Sequence, residues 1–398
     1  MIEKIPDGRN MMNSDALCLK ITEASESLCR PRICMPTWRN FARMAFQCGR
    51  YEAQDVLVKS DHVDLIPLKP SGGFIFRERW QRRLLWRDVS RRLAFVNPGL
   101  QKIRLEKEYD LFIVVCGTWW DLLYANAIEG WKDQCKTSVI WIDELWASLI
   151  PKYRYWLHAL RKYDHIILGM RGTVDAVSMA VGRRCHYVPY GVDAIRFCPY
   201  PNPPARIIDV YSIGRRRDAI HQALLKLAAE EQIFYIYDTL QNGESLAPQH
   251  QQHRDLLANI AKRSRYFMVA PGKIDVPEES QGQVEVGARY FEGAAAGTVM
   301  LGQSPNCEQF HSMFNWPDSV IEIPSDGTGV ANAISSLRAQ PERIRQISRR
   351  NIAGALLNHD WVYRWKQVLN IAGLEPMPFM ATREKRLKQL AEMAQNDV

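Results

Sequence analysis

Three short stretches of this 398-residue chain carry side chains suited to holding an anion or moving a proton. The first, Ser212-Ile-Gly-Arg-Arg-Arg217, places one glycine ahead of three arginines. A glycine lets backbone N–H groups approach an anion, and guanidinium groups give charge-assisted hydrogen bonds suited to phosphate oxygens. Gly214, Arg215 and Arg216 are therefore candidate phosphate contacts, the alternative being a solvated basic turn. The second, Gln283 to Gly297, sets Arg289 and Glu292 at i, i+3, on one face if the segment is helical; a surface ion pair is the alternative. The third, Ser138 to Trp146, runs an apolar strand into Asp143 and Glu144. A carboxylate at the carboxyl end of a parallel strand points into any cleft there, where it can orient or deprotonate a hydroxyl group. Capping the next helix is the other use for it. Gly117-Thr-Trp-Trp-Asp121 ends the preceding strand in the same way, with two rings that suit either stacking on a sugar or filling a core.

Two patterns point to what is absent. His250-Gln-Gln-His253 has no carboxylate or cysteine at ligand spacing, so it reads as a polar helix start and no metal is expected. No serine or cysteine nucleophile motif accompanies these residues.

The elements that must position these groups alternate in type. In the second half, strands are expected at 207–213, 233–237, 266–270, 298–301 and 320–323, with helices at 219–231, 253–263, 290–296 and 330–338. In the first half, candidate strands lie at 32–35, 63–68, 111–116, 138–142, 165–169 and 186–188. Several are continuous apolar runs, as parallel strands covered on both faces require. Such alternation predicts two α/β, doubly wound Rossmann-like domains, with ligands beyond the carboxyl ends of the strands. Between them, Cys198-Pro-Tyr-Pro-Asn-Pro-Pro204 has four prolines in seven residues and reads as a hinge. The division expected is residues 1–200, residues 201–360, and C-terminal helices over 361–398 that pack back on the first domain or stand apart from it.

Three segments together resemble a known family. Arg289-Tyr-Phe-Glu-Gly-Ala-Ala-Ala-Gly297 is similar to the R-x-F-E-x-x-A-x-G signature of group 1 glycosyltransferases, in the branch of CgeB-like spore-maturation proteins. Tyr187 to Phe197 resembles the V-P-x-G-V-D turn before that superfamily's hinge, and Asp209 to Arg215 its opening donor-domain strand. The resemblance implies a GT-B fold and a UDP- or GDP-sugar donor held by the C-terminal domain. Transfer to a carbohydrate or lipid-linked acceptor would retain configuration and need neither metal nor cofactor. It implies that Glu292 holds the ribose hydroxyls, with Arg289, Tyr290 and Lys273 as further donor contacts. An earlier acid, normally separated from the glutamate by seven other residues, approaches the donor sugar. Here Glu285 is separated from Glu292 by only six, so either Glu285 or a residue of Pro277 to Gln281 takes that role. Asp143 and Glu285 are the catalytic candidates. A non-catalytic GT-B-like scaffold of envelope, spore or polysaccharide machinery is the competing reading.

Composition narrows the setting. A chain 46% hydrophobic and 24% charged is globular, with no run long and apolar enough to span a bilayer. Nine scattered cysteines without a C-x-x-C, and no apolar signal segment in Met1 to Asn10, lead to the expectation of a cytoplasmic protein. Net charge is +8, and residues 1–200 hold all of the excess, with 30 Lys+Arg against 22 Asp+Glu. Arg77 to Arg92 alone carries seven arginines and two acids. Trp80, Leu84 and Leu85 are expected on one helical face there, which suits an anionic membrane surface or an ordinary solvated helix. No nucleic-acid-binding module accompanies the charge, and no nucleic-acid partner is expected.

Overall fold

The computed structural model describes residues 30–87, 89–239 and 246–397. The Met1–Asn10 segment on which the signal reading rests lies outside these, as do Cys18 and Cys29. The other seven cysteines are free thiols.

The first domain is built on six parallel strands in the spatial order Val63–Pro67, Ile33–Thr37, Tyr109–Cys116, Cys135–Ile142, His165–Leu168, His186–Tyr187. The two central strands pair in register from Leu111 with Thr137 to Cys116 with Ile142. Their apolar runs are continuous because alternate residues enter two different cores. Leu111, Ile113, Val115, Val139 and Trp141 join one core, while Phe112, Val114, Cys116, Ile140 and Ile142 join another. On the second face Phe112 stacks on Trp131 with centroids 4.7 Å apart.

The second domain carries five parallel strands in the order Tyr235–Tyr237, Ile208–Ser212, Ser264–Val269, Val299–Gly302, Ile321–Glu322. Helices Asp218–Ala229, His250–Lys262, Ala288–Ala295 and Val330–Arg338 pack around them. The tiny residues after Glu292 have a steric reason: a Cβ on Gly293 would lie 2.9 Å from the Phe267 ring. No helix or strand occurs between Cys198 and Arg206, where the chain passes from one sheet to the other.

After the long helix Pro341–Asn358, the chain returns to the first domain. Helix Trp361–Ile371 lies against helix Cys48–Val58, where Trp365 donates its indole N–H to the Ala53 carbonyl at 2.8 Å. The Trp365 ring meets Trp141 edge-on at 5.4 Å, so the first core includes the C-terminal helices. Arg383 on the last helix, Pro378–Asn396, fixes this return by donating to Asp193 at 2.6 Å and to Asp360 at 2.8 Å.

The basic segment differs from its expected arrangement. Helix Phe74–Trp86 buries Leu85 together with Glu78 and Gln81, and leaves Trp80 exposed. Gln81 faces inward because its amide donates to the Leu93 and Val96 carbonyls. No helix among the described residues is long and apolar enough to cross a membrane.

Candidate functional site

The carboxyl ends of the two sheets meet at a cavity of about 270 Å³. Gly49, Arg50, Asp143, Glu144 and Gly169 line it from the first domain. Arg215, His253, Arg254, Lys273, Glu285, Arg289 and Glu292 line it from the second. Helix Ala288–Ala295 begins at this cavity with Gly287 as its N-cap, and no side chain caps it. The first N–H groups of a helix and its dipole favour an anion at that end. Arg215, Lys273 and Arg289 border the same space, along with the carboxylates of Asp143, Glu144, Glu285 and Glu292.

Glu292 is not the open carboxylate that ribose binding suggests. It is 1% exposed. One oxygen accepts from Arg254 and the other from Arg289. Burial alone would raise its carboxyl, but Arg289 and Arg254 together hold it below the usual range. Arg254 reaches onward to Glu52 of the first domain, through Nε at 2.7 Å and Nη2 at 3.1 Å. Glu52 also accepts from the Asp193 backbone N–H at 2.9 Å and the Trp361 indole at 3.1 Å. A buried chain of charges, Glu52–Arg254–Glu292–Arg289, thus runs from one domain into the wall of the cavity.

Asp143 accepts from Arg50 Nη1 at 2.8 Å. Burial raises its carboxyl and the Arg50 charge pulls the other way. The Arg50 guanidinium passes over Gly117, where a Cβ would fall 2.1 Å from Nη2, so the strand-ending glycine makes room for it. Neighbouring Trp119 is core: its ring stacks on Tyr153 at 3.8 Å and is 7% exposed. Asp121 is fully buried, accepts from the Gly117 N–H at 2.7 Å, and is pushed up to about 6 by burial against the pull of Arg50.

Glu285 stands at the cavity wall but is occupied. It accepts from the Gly172 N–H at 2.9 Å and from Gln283 at 2.7 Å, and burial raises its carboxyl. Gln283 in turn donates to Thr173 and accepts from the Ala147 N–H, stitching this loop to the first domain. In the Pro277 to Gln281 segment, Glu279 pairs with Lys273. Lys273 also lies 3.5 Å from Glu144 across the cleft and 5.3 Å over the Trp146 ring.

The remaining candidates separate. Arg215 lines the cavity and pairs with Asp275 at 2.8 Å. Gly214 has φ +80, and its N–H already donates to Asp238 at 2.7 Å, so it is not an open anion donor. Arg216 pairs with the same Asp238 at 2.9 Å and borders a different hollow, beside Ile220 and Tyr235. Tyr290 is fully buried, faces Phe310 at 5.3 Å and donates to the Gln303 carbonyl, away from the cavity. Its position beside Glu292 turns it to the opposite side of the helix, which sequence adjacency conceals.

Arg50, Glu52 and Arg254 are site residues that sequence reasoning did not single out, and His253, read only as part of a polar helix start, is another. The available signal was polar crowding in Gly49-Arg-Tyr-Glu-Ala-Gln-Asp55, which is almost wholly buried. His250 starts its helix as expected and also pairs with Asp55 across the domains at 2.8 Å. The His253 Nδ1 has no protein partner. Burial, then Arg254 and Arg289, lower that imidazole to about 4, so it is neutral at pH 7. Among the described residues no group of three His, Cys, Asp or Glu is disposed to hold a metal ion.

Comparison with known proteins agrees with this geometry. Residues 227–370, which include Arg254, Arg289 and Glu292, match a family model described as "Glycosyl transferase-like". No curated protein sequence matches the chain significantly. Among solved structures, an α-glucosyltransferase in complex with UDP and DNA containing a HMU base is similar, with TM-score 0.51 and 11% identity over 86% of this chain and 99% of that one. An α,α-trehalose-phosphate synthase (UDP-forming) from Burkholderia vietnamiensis gives TM-score 0.50 and 12% identity over 85% and 99%. An Anabaena protein, HepE in complex with UDP, gives 0.47 and 12% over 86% and 99%. The fold is GT-B: two Rossmann-like domains facing each other across a cleft.

Proposed function

We propose that the chain is a group 1 glycosyltransferase, in the CgeB-like branch that its Arg289 to Gly297 segment resembles. It takes a sugar from a UDP- or GDP-sugar and transfers it to a carbohydrate or lipid-linked acceptor. The observation that carries this reading is the uncapped start of helix Ala288–Ala295, which opens with Arg215, Lys273 and Arg289 into the interdomain cavity. A diphosphate matches that charge. The glycosyltransferase-like family match over 227–370 and similar structures named as a glucosyltransferase and a UDP-forming synthase support the same reading.

In the reaction, the bond from the sugar anomeric carbon to the diphosphate breaks as the acceptor oxygen bonds to that carbon from the same face. The acceptor proton passes to the departing phosphate oxygen, and configuration is retained. Arg289, Arg215, Lys273 and the helix start offset the charge on the leaving diphosphate. The reaction needs no metal or other cofactor. Asp143 orients the acceptor hydroxyl from the opposite domain, and Glu285 fixes the loop that borders the donor sugar.

A second reading, a GT-B-shaped scaffold without turnover, has one observation in its favour. Both Glu292 oxygens and one of Glu285's are engaged by protein groups. Titration calorimetry with UDP, GDP and ADP separates the two. The enzyme reading expects saturable binding of UDP or GDP; binding of none of the three would favour the scaffold.

A further inference from the structure

We propose that helix Phe74–Trp86 and the segment after it dock the first domain on an anionic lipid surface. The helix is turned inside out relative to an ordinary surface helix. Its domain-facing side carries Glu78 and Gln81 with Leu85, each 7% exposed or less. Its outward side carries Ile75, Phe76 and Trp80, which are 66%, 67% and 48% exposed. At 100° per residue, Arg79, Arg83 and Arg87 fall between these apolar residues on the same outward arc, and all three are exposed. Trp86, Val89, Phe95 and Val96 extend the exposed apolar surface along the chain.

Water is a poor partner for this face, since a soluble surface seldom gathers so many large apolar side chains without a use. The mixture of aromatic, aliphatic and arginine side chains selects the occupant. Aromatic rings sit at the level of lipid headgroups while guanidinium groups meet lipid phosphates, which is how interfacial helices bind. The pairs are already formed: Phe76 and Trp80 meet edge-on at 5.9 Å, and the Arg83 guanidinium lies 6.0 Å over the Trp80 ring. The single acid on the helix, Glu78, faces inward and is paired with Arg82 at 3.0 Å, so it does not repel an anionic surface. The docking face also lies beside the acceptor side of the cleft. Trp86 meets Tyr153 at 5.5 Å, in the 147–153 segment that follows Asp143 and Glu144. On the functional reading above, a lipid-borne acceptor would reach Asp143 from that side, but docking itself does not depend on the reaction.

The test is sedimentation of the full chain with vesicles of phosphatidylcholine alone and with 30 mol% phosphatidylglycerol. Three variants accompany the wild type: Phe76→Ser with Trp80→Ser, Arg79→Glu with Arg83→Glu, and Arg215→Glu as a basic control outside the patch. Wild type should pellet with the anionic vesicles and not the neutral ones, and less so as salt rises. Each arginine near the surface contributes about fivefold in partitioning, so the arginine pair should lose well over tenfold. The aromatic pair should lose at least tenfold, and the control should bind like wild type. Circular dichroism melts exclude unfolding as the cause, since all four patch residues are outside the core. Failure of wild type to pellet, equal partitioning of the patch variants, or equal loss in the control would overturn the proposal. Patch-dependent retention of a DNA oligonucleotide, or patch-dependent dimerisation, without vesicle binding would overturn it in favour of those occupants.

Discussion

Arg254 stands between two buried glutamates from opposite domains, donating to Glu52 at 2.7 Å and to Glu292 on the cavity wall. The pairing ties the cavity wall to the first domain through one guanidinium group. It also changes what substitution of Glu292 should do.

A cleft-facing carboxylate would contribute little to the core, so its loss would leave the empty protein's stability unaltered. Glu292 is instead buried between two arginines, and breaking a buried pair from one side costs about 3–5 kcal/mol. Glu292→Ala should therefore lower the unfolding free energy by roughly that amount in urea titrations, and Glu292→Gln by less. Both should also weaken UDP or GDP binding about tenfold or more, because Glu292 holds the Arg289 guanidinium at the helix start and a charged hydrogen bond misplaced there costs about 1.5–3 kcal/mol. Lost stability with unaltered nucleotide affinity would make Glu292 purely structural.

Arg254→Met should also destabilise strongly, since it removes the bidentate cation from buried Glu52 and leaves Glu292 with Arg289 alone. Adding Glu52→Gln should recover part of the loss by removing one unpaired charge, a coupling that a double-mutant cycle measures. Additive losses would mean that the two residues do not act as a unit.

Half-buried His253 and buried Asp121 should give opposite pH signatures. Burial lowers His253 to about 4, so the unfolded chain binds its proton first. Stability from neutral His253 is present above about pH 6.5, the unperturbed imidazole value, and is lost as pH falls towards 4. Asp121 is raised to about 6, so the folded state binds its proton first and stability grows as pH falls from about 6 towards 4. Relative to wild type, His253→Gln should gain stability between pH 6.5 and 4, while Asp121→Asn should forfeit the acid-side gain. Urea unfolding at half-unit pH steps checks both signs.

The strands were legible because parallel strands between two cores are apolar throughout, as in Leu111 to Cys116. The small-residue helix was legible because Gly293 must let Phe267 approach. Helix Cys48–Val58 was not, because Arg50, Glu52 and Asp55 are buried by partners 93, 202 and 195 residues away: Asp143, Arg254 and His250. A local pattern carries no trace of such pairings. Gly214 misled for a related reason, since the acceptor of its N–H, Asp238, arrives from the end of another strand. Arg289 and Glu292 were legible as a pair, but the burial of Glu292 depended on Arg254.

Asp143→Asn should leave the fold intact while lowering turnover about a hundredfold, the order expected when a reacting hydroxyl loses its orienting partner. The Arg50 pair would be lost in the same variant, so Arg50→Met separates the roles. If Asp143 acts on the acceptor, Asp143→Asn lowers kcat with donor affinity unchanged, as steady-state kinetics and titration together would read. Equal effects of the two variants on stability, with normal kcat in both, would reduce Asp143 to a structural partner of Arg50.

The claim on which the rest depends is that a nucleoside diphosphate lies at the start of helix Ala288–Ala295. A crystal structure of the complex with UDP or GDP, whichever binds in calorimetry, tests it most directly. The account predicts diphosphate oxygens within hydrogen-bond reach of the Ala288 or Arg289 N–H and of the Arg289 guanidinium. A nucleotide bound elsewhere on the protein, with this cavity unoccupied, would contradict it.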